Sequence, residues 1–127
     1  MSARILIIED DPASMQLATY LLEAARHAIS CATDGEHGTT LALRESPDLV
    51  ICDLQIPLMD GYAVVRSLQG NSKWHRVPII AVTALSMPGD RERAIAAGFD
   101  GYLTKPITPE IFAWQIESFL PDHLKES

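Results

Sequence analysis

Four places in the chain carry residues able to do chemistry together. Glu9, Asp10 and Asp11 follow the aliphatic run Arg4-Ile5-Leu6-Ile7-Ile8, and Asp53 follows Leu49-Val50-Ile51-Cys52. Thr83 ends Val77-Pro78-Ile79-Ile80-Ala81-Val82, and Lys105-Pro106 follows Tyr102-Leu103-Thr104. Carboxylates gathered in one crevice repel one another, and burying them uncompensated is costly. A hard divalent cation resolves the repulsion. Few carboxylates with room left for waters and a phosphate suit Mg²⁺ better than an all-protein calcium cage. Asp53, facing a metal, a hydroxyl and an ammonium, then has what phosphoryl transfer demands. Asp53 is the nucleophile that forms an acyl phosphate, the metal and Lys105 neutralise the equatorial oxygens, and Thr83 donates a hydrogen bond to one of them. Taken singly, each residue has a plainer reading. Asp11 before Pro12 is a helix cap, Glu9-Asp10 a solvated strand end, Thr83 a capping hydroxyl and Lys105 a surface charge. Their joint placement at four strand ends favours the chemical reading.

Such placement requires strands apolar on both faces, the mark of a parallel sheet covered by helices. The intervening segments have helical signals. Asp11-Pro12 opens a helix in which Met15, Leu17, Ala18, Leu21, Leu22 and Ala25 recur at helical spacing, and Ile29-Ser30-Cys31-Ala32 makes a short second strand. A second helix spans about Glu36 to Glu45, and Asp60-Gly61 caps a third that carries Val64, Val65 and Leu68 and stops at Gly70-Asn71. Pro88-Gly89-Asp90 opens a fourth, and Thr108-Pro109-Glu110 caps a fifth, followed by a short polar tail. Five strands alternating with five helices predict one doubly wound α/β domain over residues 1–127, with its core at about 4–120. In such sheets the functional crevice lies beyond the carboxyl ends of the strands, where the four polar sets converge.

Composition narrows the function. The 127 residues include 10 Lys plus Arg and 17 Asp plus Glu, a net charge of −7, with 47% apolar and 21% charged residues. That is ordinary globular composition, which excludes a disordered or low-complexity chain. An acidic surface repels a phosphate backbone, so direct nucleic-acid binding is not expected. No apolar run approaches the ~20 residues of a membrane span, and no secretion signal is visible, so the expected location is the cytoplasm. Cys31 and Cys52 lie in strand-like runs and read as free thiols acting as small hydrophobes. His27, His37, His75 and His123 lack ligand-like spacing and read as surface residues.

The chain resembles the receiver domain of bacterial two-component response regulators from Arg4 to about Leu120. Four ordered motifs carry the resemblance: Ile5-Leu6-Ile7-Ile8-Glu9-Asp10-Asp11-Pro12; Pro47 to Asp53 with Pro57-Leu58-Met59-Asp60-Gly61; Val77 to Ala84; and Lys105-Pro106. The resemblance implies a flavodoxin-like (βα)5 fold with strand order 2-1-3-4-5. Under that order Cys31 and Cys52 lie two strand spacings apart, about 9.5 Å, beyond the ~7 Å limit for a disulfide. It further implies that Asp53 accepts a phosphoryl group from a sensor histidine kinase or a histidine phosphotransfer protein. Asp10 would ligate Mg²⁺ directly, Glu9 through water and Gln55 through its backbone carbonyl, leaving Asp11 outside the pair. Thr83 and Lys105 would hold the phosphoryl oxygens, and the bond before Pro106 would be cis. Such a protein is not a conventional enzyme, since it catalyses only its own phosphorylation and dephosphorylation.

The same resemblance suggests how a signal leaves. Thr83 is drawn toward the phosphoryl group, Tyr102 rotates into the vacated space, and the face made by the fourth helix, fifth strand and fifth helix changes. Ile95, Tyr102, Ile111 and Trp114 are the expected contacts for a downstream protein target or, after phosphorylation, a second copy; Tyr102 as a simple edge aromatic is the plainer reading. Phe112, Ile116 and Phe119 form the core stripe of the last helix. Leu85 and Gln55 stand where the family varies and tunes acyl-phosphate lifetime, and Arg26-His27 replaces the glycine that commonly precedes the second strand. The initial Met and polar tail favour a stand-alone regulator over a receiver excised from a hybrid kinase or larger regulator. A flavodoxin-like nucleotide module would need a phosphate-cradling loop after the first strand, where three acids stand instead. A metal-dependent phosphohydrolase would need a general acid where Gln55 stands. A non-phosphorylated adaptor would not need the full set of acids, Thr83 and Lys105.

Overall fold

The computed structural model describes residues 2–125. Five strands, β1 (Arg4–Ile8), β2 (Ala28–Ala32), β3 (Leu49–Cys52), β4 (Ile79–Thr83) and β5 (Gly101–Thr104), form one parallel sheet in the order β2-β1-β3-β4-β5. The connecting helices are α1 (Pro12–Ala24), α2 (Gly35–Glu45), α3 (Gly61–Gln69), α4 (Asp90–Ala97) and α5 (Pro109–Glu117). The expected flavodoxin-like doubly wound fold is therefore the fold observed. Successive side chains of a strand point to opposite faces, and both faces here are covered. Leu6, Ile8, Val50, Cys52, Ile79 and Ala81 pack with Leu41, Val64, Leu68 and Ala94 from α2, α3 and α4. Ile5, Ile7, Leu49, Ile51, Ile80 and Val82 pack with Leu22, Phe112 and Ile116 from α1 and α5.

Caps form largely where the residue types predict them. The Asp11, Asp34 and Asp60 carboxylates accept from the backbone N–H groups of Ser14, His37 and Ala63 and open α1, α2 and α3. Thr108 is the N-cap residue of α5 without a side-chain capping bond. β4 starts at Ile79, two residues later than expected, because Pro78 has no N–H to give the ladder, although its carbonyl still accepts from Val50. A further single turn, α6 (Asp122–Lys125), stands where a polar tail was expected; Leu124 is partly buried against the α1–α5 core. Phe119 falls beyond the end of α5, half-buried, with its ring over Gly101, where an added Cβ would come within 2.4 Å of it.

Two expectations about single residues are corrected. His27 is not a surface residue: it is 4% exposed. Its Nδ1 accepts the Ala3 N–H at 3.0 Å, so Nε2 carries the proton and donates to Glu117 Oε2 at 2.8 Å. The ring thus fastens the start of the sheet to the end of α5, and the preceding Arg26 takes φ 76, the left-handed conformation that glycine adopts without strain. Cys31 is an exposed edge-strand thiol, unlike buried Cys52, and both are free. His37 and His75 are exposed as expected, and the side chain of His123 lies outside the described residues.

α2 approaches the sheet closely at Gly38, where a Cβ would lie 2.5 Å from Ile8 Cδ1. Gly38→Ala overpacks a fully buried contact and is expected to lower stability by about 1–3 kcal/mol in equilibrium urea unfolding. His27→Phe fills the same space but leaves the Ala3 N–H and the Glu117 carboxylate without their partner. Its expected cost is about 1–3 kcal/mol, read in the same assay.

Candidate functional site

The strand register carries the polar residues to one edge. Ile8 pairs with Cys52, and the ladder runs one rung further, with the Asp53 N–H donating to Ile8 O at 3.1 Å and the Glu9 N–H to Ala32 O at 2.9 Å. On the other side Thr83 pairs with Thr104, and the Lys105 N–H donates to Thr83 O at 2.8 Å. Backbone bonds thus bring Glu9, Asp53, Thr83 and Lys105 to the carboxyl ends of four strands.

Lys105 joins two of these elements. Its Nζ lies 2.6 Å from Glu9 Oε1 and 2.9 Å from Asp53 Oδ2. The other oxygens accept backbone N–H groups, Glu9 Oε2 from Asp11 at 3.1 Å and Asp53 Oδ1 from Gln55 at 3.0 Å. Glu9 and Asp53 are each 5% exposed, whereas Asp10 is exposed. Burial raises the Glu9 carboxyl above its ordinary range, more than the bond to Lys105 lowers it. Burial alone would lower the Lys105 ammonium, but its bonds to Asp53 and Glu9 outweigh it and raise the group.

One carboxylate oxygen from each of Glu9, Asp10 and Asp53 lies within 4.8 Å of the others. Three carboxylates and one ammonium leave an excess of negative charge at a site with a solvent-facing member. That donor set, hard oxygens with open access, suits Mg²⁺. Asp11 stands outside the cluster, as expected; its bond to Ser14 holds its carboxyl below the usual range. Gln55 reaches Asp53 through its N–H, and Thr83 is fully buried. The Lys105–Pro106 peptide bond is cis.

The Thr83 hydroxyl is engaged with the following loop, where its Oγ1 accepts the Leu85 N–H at 3.4 Å. Leu85 is held from a second side, since the Tyr102 hydroxyl donates to its carbonyl. Tyr102 is therefore turned inward, 7% exposed, not a simple edge aromatic. The other expected contact residues face solvent, with Ile95 and Ile111 each 42% and Trp114 70% exposed. Sequence reasoning singled out Leu85 only as a variable position; its offset of two from Thr83 was the signal for its place between the two hydroxyls. It also missed a cleft of 370 Å³ between α1 and the β5–α5 connection, lined by Ser14, Leu17 and Ile107 together with Glu9, Asp53 and Lys105.

Comparison with known proteins agrees with this geometry. The family model for the response regulator receiver domain matches residues 5–116. The chain is 34% identical to the polar-differentiation response regulator DivK of Brucella ovis, over 96% of this chain and 99% of DivK. It is 37% identical to the response regulator PleD of Caulobacter vibrioides over 84% of this chain, but spans only 24% of PleD. Among solved structures, the receiver domain of the sensor histidine kinase PA1611 from Pseudomonas aeruginosa superposes with a TM-score of 0.84 at 29% identity, covering 94% of this chain and 98% of that one. That structure holds a magnesium ion in its active-site cleft. Receiver domains are signalling phosphoacceptors, not conventional enzymes; they bind Mg²⁺ at an acidic cluster and interact with histidine kinases and downstream targets. The match across most of the chain, the strand order and the acidic edge together establish that this chain belongs to the response regulator receiver domain family of two-component systems.

Proposed function

We propose that the protein is a single-domain response regulator whose phosphoacceptor is Asp53. The observation that supports this best is the ammonium of Lys105 shared between Glu9 and Asp53, with the Asp10 carboxylate beside them. An Asp53 oxygen attacks the phosphorus of a phosphohistidine on a sensor histidine kinase or histidine phosphotransfer protein. The P–N bond breaks, the imidazole leaves with its electron pair, and a P–O bond to Asp53 forms. Asp10, Asp53, the Gln55 carbonyl and, through water, Glu9 would hold Mg²⁺, which when bound supplies positive charge against the phosphoryl oxygens. Lys105 stabilises a phosphoryl oxygen by a charge-assisted hydrogen bond. Thr83 turns its hydroxyl from Leu85 toward a second oxygen.

That turn gives the site an output. It releases the Leu85 N–H, shifts the balance of Tyr102 positions and alters the α4-β5-α5 face bearing Ile95, Ile111 and Trp114. A downstream protein target or a second copy of the chain would read this face, with no direct contact to nucleic acid. A cytoplasmic setting fits the reading; no described helix is long and apolar enough to cross a membrane. Such a receiver makes up nearly the whole of DivK and about a quarter of PleD, so the same switch serves alone or within a longer protein.

Incubation with Mg²⁺ and acetyl phosphate is expected to add one labile phosphoryl group, about 80 Da from the chemistry of the group, in intact-mass spectrometry. The gain should require Mg²⁺ and vanish in Asp53→Asn; an undiminished gain in that variant would move the acceptor elsewhere. Lys105→Met leaves Glu9 and Asp53 unpaired and is expected to lower metal-free stability by about 3 kcal/mol in urea unfolding. Mg²⁺ should recover more stability in Lys105→Met than in wild type, because no ammonium competes for the carboxylates. Equal Mg²⁺ responses would count against a shared site.

A further inference from the structure

The cleft between α1 and the β5–α5 connection has a volume of 370 Å³, within the range of about 300–1,000 Å³ that small-molecule sites occupy. Most of its lining is apolar. Ile7, Ile51, Val82 and Phe112 line it from the buried core on the α1 and α5 side of the sheet, and exposed Leu17 of α1 and Ile107 of the connection complete the apolar wall. Among the described residues, the charged side chains of the lining are Glu9, Asp53 and Lys105, two negative groups against one positive. The ammonium is already held between the two carboxylates. Each of the four carboxylate oxygens accepts one hydrogen bond, from Lys105, Asp11 or Gln55, and a carboxylate oxygen has room for a second. An anionic ligand would double the negative excess of this lining, whereas a singly charged cation cancels it. A flat cation with two parallel N–H donors matches the edge of a carboxylate, and an apolar body attached to it would gain by covering the apolar wall.

We propose that this cleft is a binding site for a small amphipathic organic cation, an aryl amidinium or aryl guanidinium whose head pairs with Glu9 and Asp53 and whose ring lies against Leu17 and Ile107. Neither half of such a molecule is sufficient. The head alone leaves the apolar wall wet, and an apolar body with a negative head meets the carboxylates with the wrong sign. The bound cation draws on the same carboxylates as Mg²⁺, so the two compete. An occupied cleft therefore keeps the metal from Asp53 and holds the site unphosphorylated. That last consequence rests on the phosphoacceptor reading above; the binding itself stands on the lining of the cleft.

The probe is benzamidine, titrated calorimetrically into the full chain without Mg²⁺, beside guanidinium, which has the head without the ring, and benzoate, which has the ring with the opposite charge. Benzamidine is expected to bind at least about tenfold more tightly than either. Leu17→Gln and Ile107→Thr, on the two sides of the apolar wall and outside the phosphoryl-transfer groups, should each weaken benzamidine about three- to tenfold while leaving Mg²⁺ affinity unchanged. Urea unfolding of both variants checks that they fold. Added Mg²⁺ should raise the apparent Kd of benzamidine in step with metal occupancy. The site is overturned if benzamidine binds no more tightly than guanidinium or benzoate, if both folded variants bind it like wild type, or if Mg²⁺ leaves its binding unchanged. In the acetyl phosphate assay benzamidine should slow Mg²⁺-dependent labelling of wild type, and less so of Leu17→Gln. Absence of labelling in wild type without benzamidine would overturn the phosphoacceptor reading instead, and the calorimetric comparison would still decide the cleft.

Discussion

Three carboxylates held within 4.8 Å of one another, against a single ammonium, are the constraint on which the functional end of this molecule depends. Left to themselves, Glu9, Asp10 and Asp53 would spread into solvent. Backbone ladder bonds running one rung past β1 and β3 prevent this for Glu9 and Asp53, and Lys105 offsets part of the repulsion. The compensation is incomplete. One positive charge among three negative ones leaves a site that favours a divalent cation.

The sheet is stiff where this site needs stiffness. Ile8 and Cys52, the last residues before Glu9 and Asp53, are fully buried under α2 and α3, and Gly38 lets α2 come against Ile8 without a Cβ between them. Close packing of that kind holds the strand ends that carry Glu9 and Asp53 in place. The other side of the site is built differently. Thr83 and Tyr102 hold Leu85 by its N–H and its carbonyl, so a single loop residue connects the hydroxyl nearest the chemistry to the ring nearest the α4-β5-α5 face. Thr83 and Tyr102 are thus joined through one peptide unit.

Much of this was legible in the chain because the signals are local. Aliphatic runs ending in Glu9, Asp53, Thr83 and Lys105 mark strands and their ends, and Asp11 and Asp60 announce their helices by the side chains they place before an N-terminus. The less legible features involve partners distant in sequence. His27 looked like a surface residue because nothing near it in the chain signals that Ala3 and Glu117 converge on its two ring nitrogens, the second of them 90 residues away. The buried, unpartnered hydroxyl of Tyr62 has no sequence signature either, since its ring meets Phe99, 37 positions along the chain.

The sequence by itself therefore determined the alternation of strands and helices, the two-faced apolar sheet and the identity of the acidic, hydroxyl and ammonium groups at its edge. Each of these follows from residue type and spacing along a few consecutive positions. Tertiary structure alone decided that Lys105 bridges Glu9 and Asp53 while Asp10 stays exposed, that Tyr102 lies inward on Leu85, and that His27 is a buried clamp. The physical reason is that hydrogen bonds and ion pairs act over about 3 Å in space, whereas their partners here are separated along the chain by up to 90 residues. Only the completed sheet and its helices bring them within reach.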